Sequence, residues 1–130
     1  MPKASHQETM QLHNLLKSKL HHARVTYANP DYVGSIEIGS DLMKAVGILE
    51  GQLVQVWAVD HTARISTYAF SGPDGVIGLN GGAAQFFRPG DRIIVAGFVM
   101  TDEPIVPKVV LLDENNRIIK ELVPFSISGE

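Results

Sequence analysis

Residues able to do chemistry fall at separate places along the chain. Lys19-Leu-His21 sets an amine and an imidazole two residues apart, so on a strand they share one face. A lone lysine there reads first as a solvated surface residue. Gly34-Ser35 sets a hydroxyl directly after a residue with no side chain, and such a hydroxyl can attack the preceding carbonyl where the backbone is strained. By itself the dipeptide is too common to carry that chemistry. Gly39-Ser40 repeats it, and there Ser40 reads as a helix N-cap with Asp41 in the first turn. Arg64, Ser66 and Tyr68 alternate along one strand face, and a guanidinium beside a phenol suits a small carboxylate substrate. The plainer reading is an edge-strand arginine and an interfacial tyrosine. Asn80-Gly81-Gly82-Ala83-Ala84 is a glycine turn entering a helix, where free N–H groups can hold an anion. It has neither phosphate-loop nor dinucleotide spacing, and locally it reads as a tight turn of small residues.

Other chemistry is excluded. The chain has no cysteine, which removes disulfides, thiolate nucleophiles and cysteine-based metal sites. Of the five histidines, His21 and His22 are adjacent and on a regular strand point to opposite faces, while His6, His13 and His61 add no i, i+4 pair. No metal site is expected. Eleven Lys and Arg against fourteen Asp and Glu leave a net charge of −3 with no basic run, which argues against a nucleic-acid partner. The apolar runs, such as Ile93–Met100, are far shorter than the roughly 20 residues that cross a bilayer. Met1–Thr9 is polar and lacks the apolar centre of a signal peptide, so a cytoplasmic location is the expectation.

The elements that must position these residues read as β. With 130 residues, 45% of them hydrophobic, one domain with a real core is expected. Strands are expected at 23–27, 53–59, 64–70, 92–100, 106–112 and 117–123, the last two joined as a hairpin by Asp113-Glu-Asn-Asn116. Short helices are expected at Ser40–Gly47 and Gly81–Phe87. Gly51-Gln-Leu-Val-Gln-Val56 and Gly90-Asp-Arg-Ile-Ile-Val95 share one pattern, each following a helix, so helix, glycine turn and strand occur twice. A small pseudo-symmetric barrel of two interlocked halves suits that repeat, because closure removes exposed strand edges.

Taken in order, Lys19-Leu-His21, Tyr32-Val-Gly34-Ser35, Trp57, Arg64-Ile-Ser-Thr67-Tyr68 and Asn80-Gly81-Gly82-Ala83-Ala84 resemble the bacterial pyruvoyl-dependent aspartate 1-decarboxylases. The resemblance runs from Met10 to Val123 and takes in Gly47-Ile-Leu-Glu-Gly51, Pro89-Gly90-Asp91 and Pro107-Lys-Val-Val. It implies a double-psi β-barrel with short helices, assembled as a homotetramer with active sites between subunits. It further implies autocatalytic cleavage between Gly34 and Ser35 into a β-chain (1–34) and an α-chain (35–130), spontaneously or with a maturation factor. Ser35 then becomes a covalent pyruvoyl group, an electron sink for decarboxylation of L-aspartate to β-alanine and CO2 in pantothenate and coenzyme A biosynthesis. On this resemblance Thr67 assists cleavage, Tyr68 returns the proton, and Arg64 pairs with a substrate carboxylate. Lys19 and His21 supply polar groups at the pocket, Tyr32 and Trp57 its wall, and Asn80, Gly81, Gly82 and Ala83 the loop that holds substrate.

The chain departs from the family pattern in three places. Gly82 stands where alanine is more frequent, which loosens the substrate loop; Phe70–Gly75 is short; and Met1–Thr9 precedes the usual start as an extension to the domain at 10–130. Two alternatives stay open: the same chemistry on another acidic amino acid such as glutamate, and an unprocessed β-barrel binding protein similar to bacterial transition-state regulators.

Overall fold

A computed structural model describes residues 10–123. The expected extension at 1–9 and the last seven residues of the expected α-chain lie outside the described residues. The elements are β1 (His13–Arg24), β2 (Tyr27–Asn29), β3 (Ser35–Gly39), α1 (Ser40–Val46), β4 (Leu53–Ala58), β5 (Arg64–Gly72), β6 (Ile77–Asn80), a 3₁₀ turn (Gly81–Phe86), β7 (Arg92–Thr101), β8 (Lys108–Leu112) and β9 (Ile118–Leu122). All strands join in one sheet of order β2-β6-β3-β5-β4-β7-β1-β8-β9. Most neighbours are antiparallel, but β1 with β8, β2 with β6, and β3 with β5 run parallel. Parallel neighbours need long crossovers, so the sheet interleaves distant parts of the chain.

The sequence repeat appears as local symmetry. Gly51 and Gly90 both take left-handed φ, +78 and +93, which a glycine adopts without strain. Val56 and Val95 end the two copies and pair with each other, and Trp57↔Ile94 mirrors Gln55↔Ala96. A pseudo-twofold axis therefore passes between β4 and β7. The mainly β architecture is that of a double-psi β-barrel, as the resemblance implied. Leu20, Ile36, Ile38, Leu42, Val54, Val56, Ile77, Leu79, Ile93 and Val95 form the core, each almost wholly removed from water. On β3, β4 and β7 these are alternate residues, so strand periodicity alone supplies one apolar face.

Four expectations need correction. The strand expected at 23–27 is two strands: β1 starts at His13 and ends at Arg24, and β2 begins at Tyr27. Between them the Val25 N–H donates to the Asp91 carbonyl and the Thr26 N–H to the Ile77 carbonyl, so the chain crosses from one set of partners to another. Register shifts at Leu16/Ser18 and His21/Ala23 break the alternation of β1, which is why its first half escaped the periodic reading. The second shift also brings His21 and His22 together instead of on opposite faces: His22 has φ +64, and the rings stack with centroids 4.1 Å apart.

Ser40 is not the N-cap. Gly39 holds that position without a side-chain bond, Ser40 is the first residue of α1, and Asp74 accepts the Asp41 N–H at 3.4 Å from across the fold. The second expected helix is only a 3₁₀ turn, because Gly81 at φ +71 cannot continue an α-helix and Pro89-Gly90 stops the chain soon after.

Candidate active site

β3 opens at Ser35, which pairs with Asn80 at the end of β6. Asn80 is only 5% exposed, so its amide is held in one place. Its Nδ2 donates to Ser35 Oγ at 3.2 Å and to the Tyr27 hydroxyl oxygen at 3.2 Å. The Ser35 hydroxyl donates in turn to the Val33 carbonyl at 3.2 Å. The Asn80 Oδ1 is buried without a hydrogen-bond partner in the isolated chain, an uncommon state for a buried acceptor. Tyr32, Val33 and Phe70 line the same shallow cleft as Ser35, and all three are exposed.

Gly81 is required by contact as well as by φ. A Cβ there would lie 2.6 Å from the Gly34 Cα and 2.9 Å from the Tyr32 carbonyl oxygen. The backbone of the glycine turn therefore rests directly on Gly34, and that packing explains a glycine the sequence showed only as a turn residue. A Cβ on Gly82 would meet nothing within 4 Å.

Thr67 and Tyr68 are neighbours on β5, and the pleat sends them to opposite faces. Thr67 is buried on the core side with Ala69, while Tyr68 is 54% exposed. Ile36 pairs with Ala69 in the parallel β3–β5 ladder, so Ser35 and Tyr68 are each one residue before a paired position. Arg64, Ser66 and Tyr68 share the outer face, as expected. The Arg64 guanidinium lies 4.5 Å from the Trp57 ring centroid, and the two residues are cross-strand partners.

Lys19 and His21 share one face of β1 and line a cleft with Val109 and residues 120–123. Burial first, then His22 and Lys19, holds the His21 pKa below the ordinary histidine value, so the ring is neutral at neutral pH. Following the ladders outward, His21 pairs with Ile94, Ile94 with Trp57, and Trp57 with Arg64. His21 and Arg64 therefore stand on strands three places apart in the sheet order. The clefts at Ser35 and at Lys19 and His21 share no lining residue. One chain thus brings Ser35, Tyr32, Asn80, Gly81 and Gly34 together, and separately Lys19 with His21 and Arg64 with Trp57.

Two residues at Ser35 escaped the sequence reading. Tyr27 and Glu37 meet at 2.5 Å beside Asn80. The available signal was a carboxylate in the apolar strand Ile36-Glu37-Ile38, but its partner is on a strand reached only through the sheet. Among the described residues no three His, Asp or Glu side chains converge to hold a metal ion.

Fold and site together define a small β-barrel protein with a serine-centred polar site at a glycine–serine bond. The model of the family described as aspartate decarboxylase matches residues 10–119. The chain is 50% identical over 113 residues to an aspartate 1-decarboxylase of Exiguobacterium sibiricum, covering 82% of this chain and 89% of the relative. It is 46% identical over 114 residues to an aspartate 1-decarboxylase of Shouchella clausii, covering 83% and 90%, and 45% identical to one of Bacillus cereus with the same coverage. The chain belongs to the aspartate decarboxylase family.

Proposed function

We propose that this protein removes the α-carboxyl group of L-aspartate to give β-alanine and CO2, the precursor step for pantothenate, after converting its own Ser35 to a pyruvoyl group. The observation that carries the reading is the Gly34-Ser35 bond with the Asn80 amide on the hydroxyl, in a chain of this family. In the first step the Ser35 Oγ bonds to the Gly34 carbonyl carbon, the Gly34–Ser35 C–N bond breaks, and the hydroxyl proton ends on the freed amine. The ester then loses its Cα proton and the Cβ–Oγ bond breaks, leaving a Gly34 carboxylate and a dehydroalanine. Water hydrolyses that residue with release of ammonia. A pyruvoyl group supplies a ketone conjugated to an amide, which accepts the electron pair left when CO2 departs.

The residues at Ser35 suit that group. The Asn80 Nδ2 already donates to the oxygen at this position, and the position opens onto an exposed cleft. In this reading Arg64 pairs with a substrate carboxylate, Tyr68 carries the proton returned to Cα, and Lys19 and His21 complete the pocket together with Tyr32 and Trp57. Thr67 assists cleavage from the core side of β5. The residues at 80–83 hold the substrate through their backbone.

The separation of the Lys19–His21 cleft from Ser35 supports a site completed between protomers, in a tetramer of processed chains. No helix among the described residues is long and apolar enough to cross a membrane, and a cytoplasmic enzyme is the reading adopted.

Denatured intact mass of freshly purified protein, repeated after warm incubation, tests the proposal. The expected result is two species, Met1–Gly34 and a 96-residue fragment lighter by one ammonia than unmodified Ser35–Glu130. CO2 release is expected to be faster from aspartate than from glutamate. A single uncut mass that persists, with no CO2 released, overturns the reading in favour of a binding protein.

A further inference from the structure

Tyr27, Gly78 and Glu37 stand on one rung of the sheet, with Gly78 of β6 paired to Tyr27 on one side and to Glu37 on the other. A side chain on the middle strand would normally separate its neighbours. Here there is none: a Cβ on Gly78 would lie 2.0 Å from the Tyr27 ring, so the ring lies across the glycine and its hydroxyl reaches Glu37 Oε1 at 2.5 Å. Gly72 clears the other end, since a Cβ there would fall 2.2 Å from Glu37 Oε2. Two glycines on two strands thus make room for one hydrogen bond. The Tyr27 pKa is raised by burial first, then by the bond to Glu37, so the phenol keeps its proton.

The polarity of the network follows from its acidic end. The Tyr27 hydroxyl donates to Glu37 Oε1, so its one proton is committed there. The phenol oxygen then has only lone pairs to offer, and Asn80 must turn its Nδ2 toward it. The second hydrogen of that Nδ2 falls on Ser35 Oγ. Without the Glu37 acceptor, Tyr27 is free to donate to Asn80 Oδ1, and a flipped amide presents an acceptor to the serine instead of a donor.

Resting on the function proposed above, we propose that Tyr27 and Glu37 are positioning residues for self-cleavage at Gly34-Ser35, acting through Asn80. They set the amide so that an N–H faces Oγ as its proton leaves and negative charge develops there.

The test follows the cleavage rate of the full chain by intact mass for the parent, Tyr27→Phe, Glu37→Leu, which leaves no acceptor for the phenol, and the double variant. Each single change is expected to slow cleavage about tenfold, the effect of one lost hydrogen bond. The double variant is expected to be no slower than Tyr27→Phe alone, because both act through one path. Gly78→Ala, which pushes the ring aside and leaves both polar groups in the chain, is expected to slow cleavage likewise. Additive losses that follow the drop in melting temperature indicate a merely structural pair and overturn the inference. Parent-like cleavage in Tyr27→Phe does the same. Where Tyr27→Phe fails to fold, Glu37→Leu, which keeps the ring and removes the acceptor, decides: parent-like cleavage refutes and slowed cleavage at unchanged melting temperature supports. A parent that never cleaves refutes the function proposed above; a parent that cleaves beside equally fast variants refutes this inference alone.

Discussion

At Gly81 the backbone sits at φ +71 with Gly34 in the space a Cβ would need, whereas at Gly82 that space is open. Adjacent glycines therefore respond to alanine in opposite ways. Gly81→Ala pushes on Gly34, and a displacement near 1 Å is expected to slow cleavage roughly a hundredfold, read by intact mass. Gly82→Ala is expected to leave cleavage intact and raise stability by about 0.5 kcal/mol, read from urea unfolding, because it restricts the unfolded chain without strain in the fold. His21 gives a pH prediction. Its folded pKa lies below the ordinary 6.5, so the unfolded chain binds the proton more readily. The stability it contributes is complete above that value and is lost as pH falls through the folded pKa. His21→Gln is expected to lose less stability than the parent between about pH 7.5 and about pH 5, measured by denaturant midpoints. An equal loss in both shows that other groups govern the acid limb.

The β8–β9 hairpin shows how one element is tied to the rest. Asp113 accepts the Asn115 and Arg117 N–H groups at 2.8 and 3.0 Å, and those bonds hold its carboxyl below the usual range. Asn116 follows at φ +61, a left-handed position asparagine tolerates. Its side chain is buried and takes the Arg24 N–H at 2.7 Å, while its Nδ2 donates to the Arg24 and Gly75 carbonyls at 2.9 and 3.0 Å. One amide thus joins the hairpin turn, the end of β1 and the loop after β5. Asn116→Ala orphans those groups and strains the turn, and a loss of about 3 kcal/mol is expected in urea unfolding. A loss below about 1 kcal/mol would mean that water replaces the amide. Turn residues at 113–116 were legible as a turn, but the partner carbonyls at 24 and 75 were not, because no local pattern records which distant loop a turn packs on.

At the scale of the whole molecule the outer face of β4 and β5 leaves Leu53 and Tyr68 more than half exposed, with Phe70 nearly so. Leu53 and Tyr68 are cross-strand partners, so the apolar area is continuous. Apolar surface of this kind favours burial against another protomer. Sedimentation is expected to give four times the protomer mass, and specific activity is expected to fall on dilution as the assembly dissociates. Activity per protomer that persists where only single chains sediment would place the complete site within one chain.

Residue order by itself determined the mainly β class and the two-copy plan, and it singled out Gly34-Ser35, Arg64, Thr67-Tyr68 and Asn80–Ala83 as candidates. These are carried by local pattern: alternation, glycine turns, and a set of short motifs in a particular order. Tertiary structure decided what depends on strands meeting out of sequence. It split the strand expected at 23–27, stacked His21 on His22 through a bulge, moved the N-cap of α1 to Gly39, and separated the Lys19–His21 cleft from Ser35. It also joined Tyr27 to Glu37 over Gly78. That contact needs two parallel or antiparallel ladders in correct register on either side of β6, and register is set by burial of the whole core face, which no window of sequence contains.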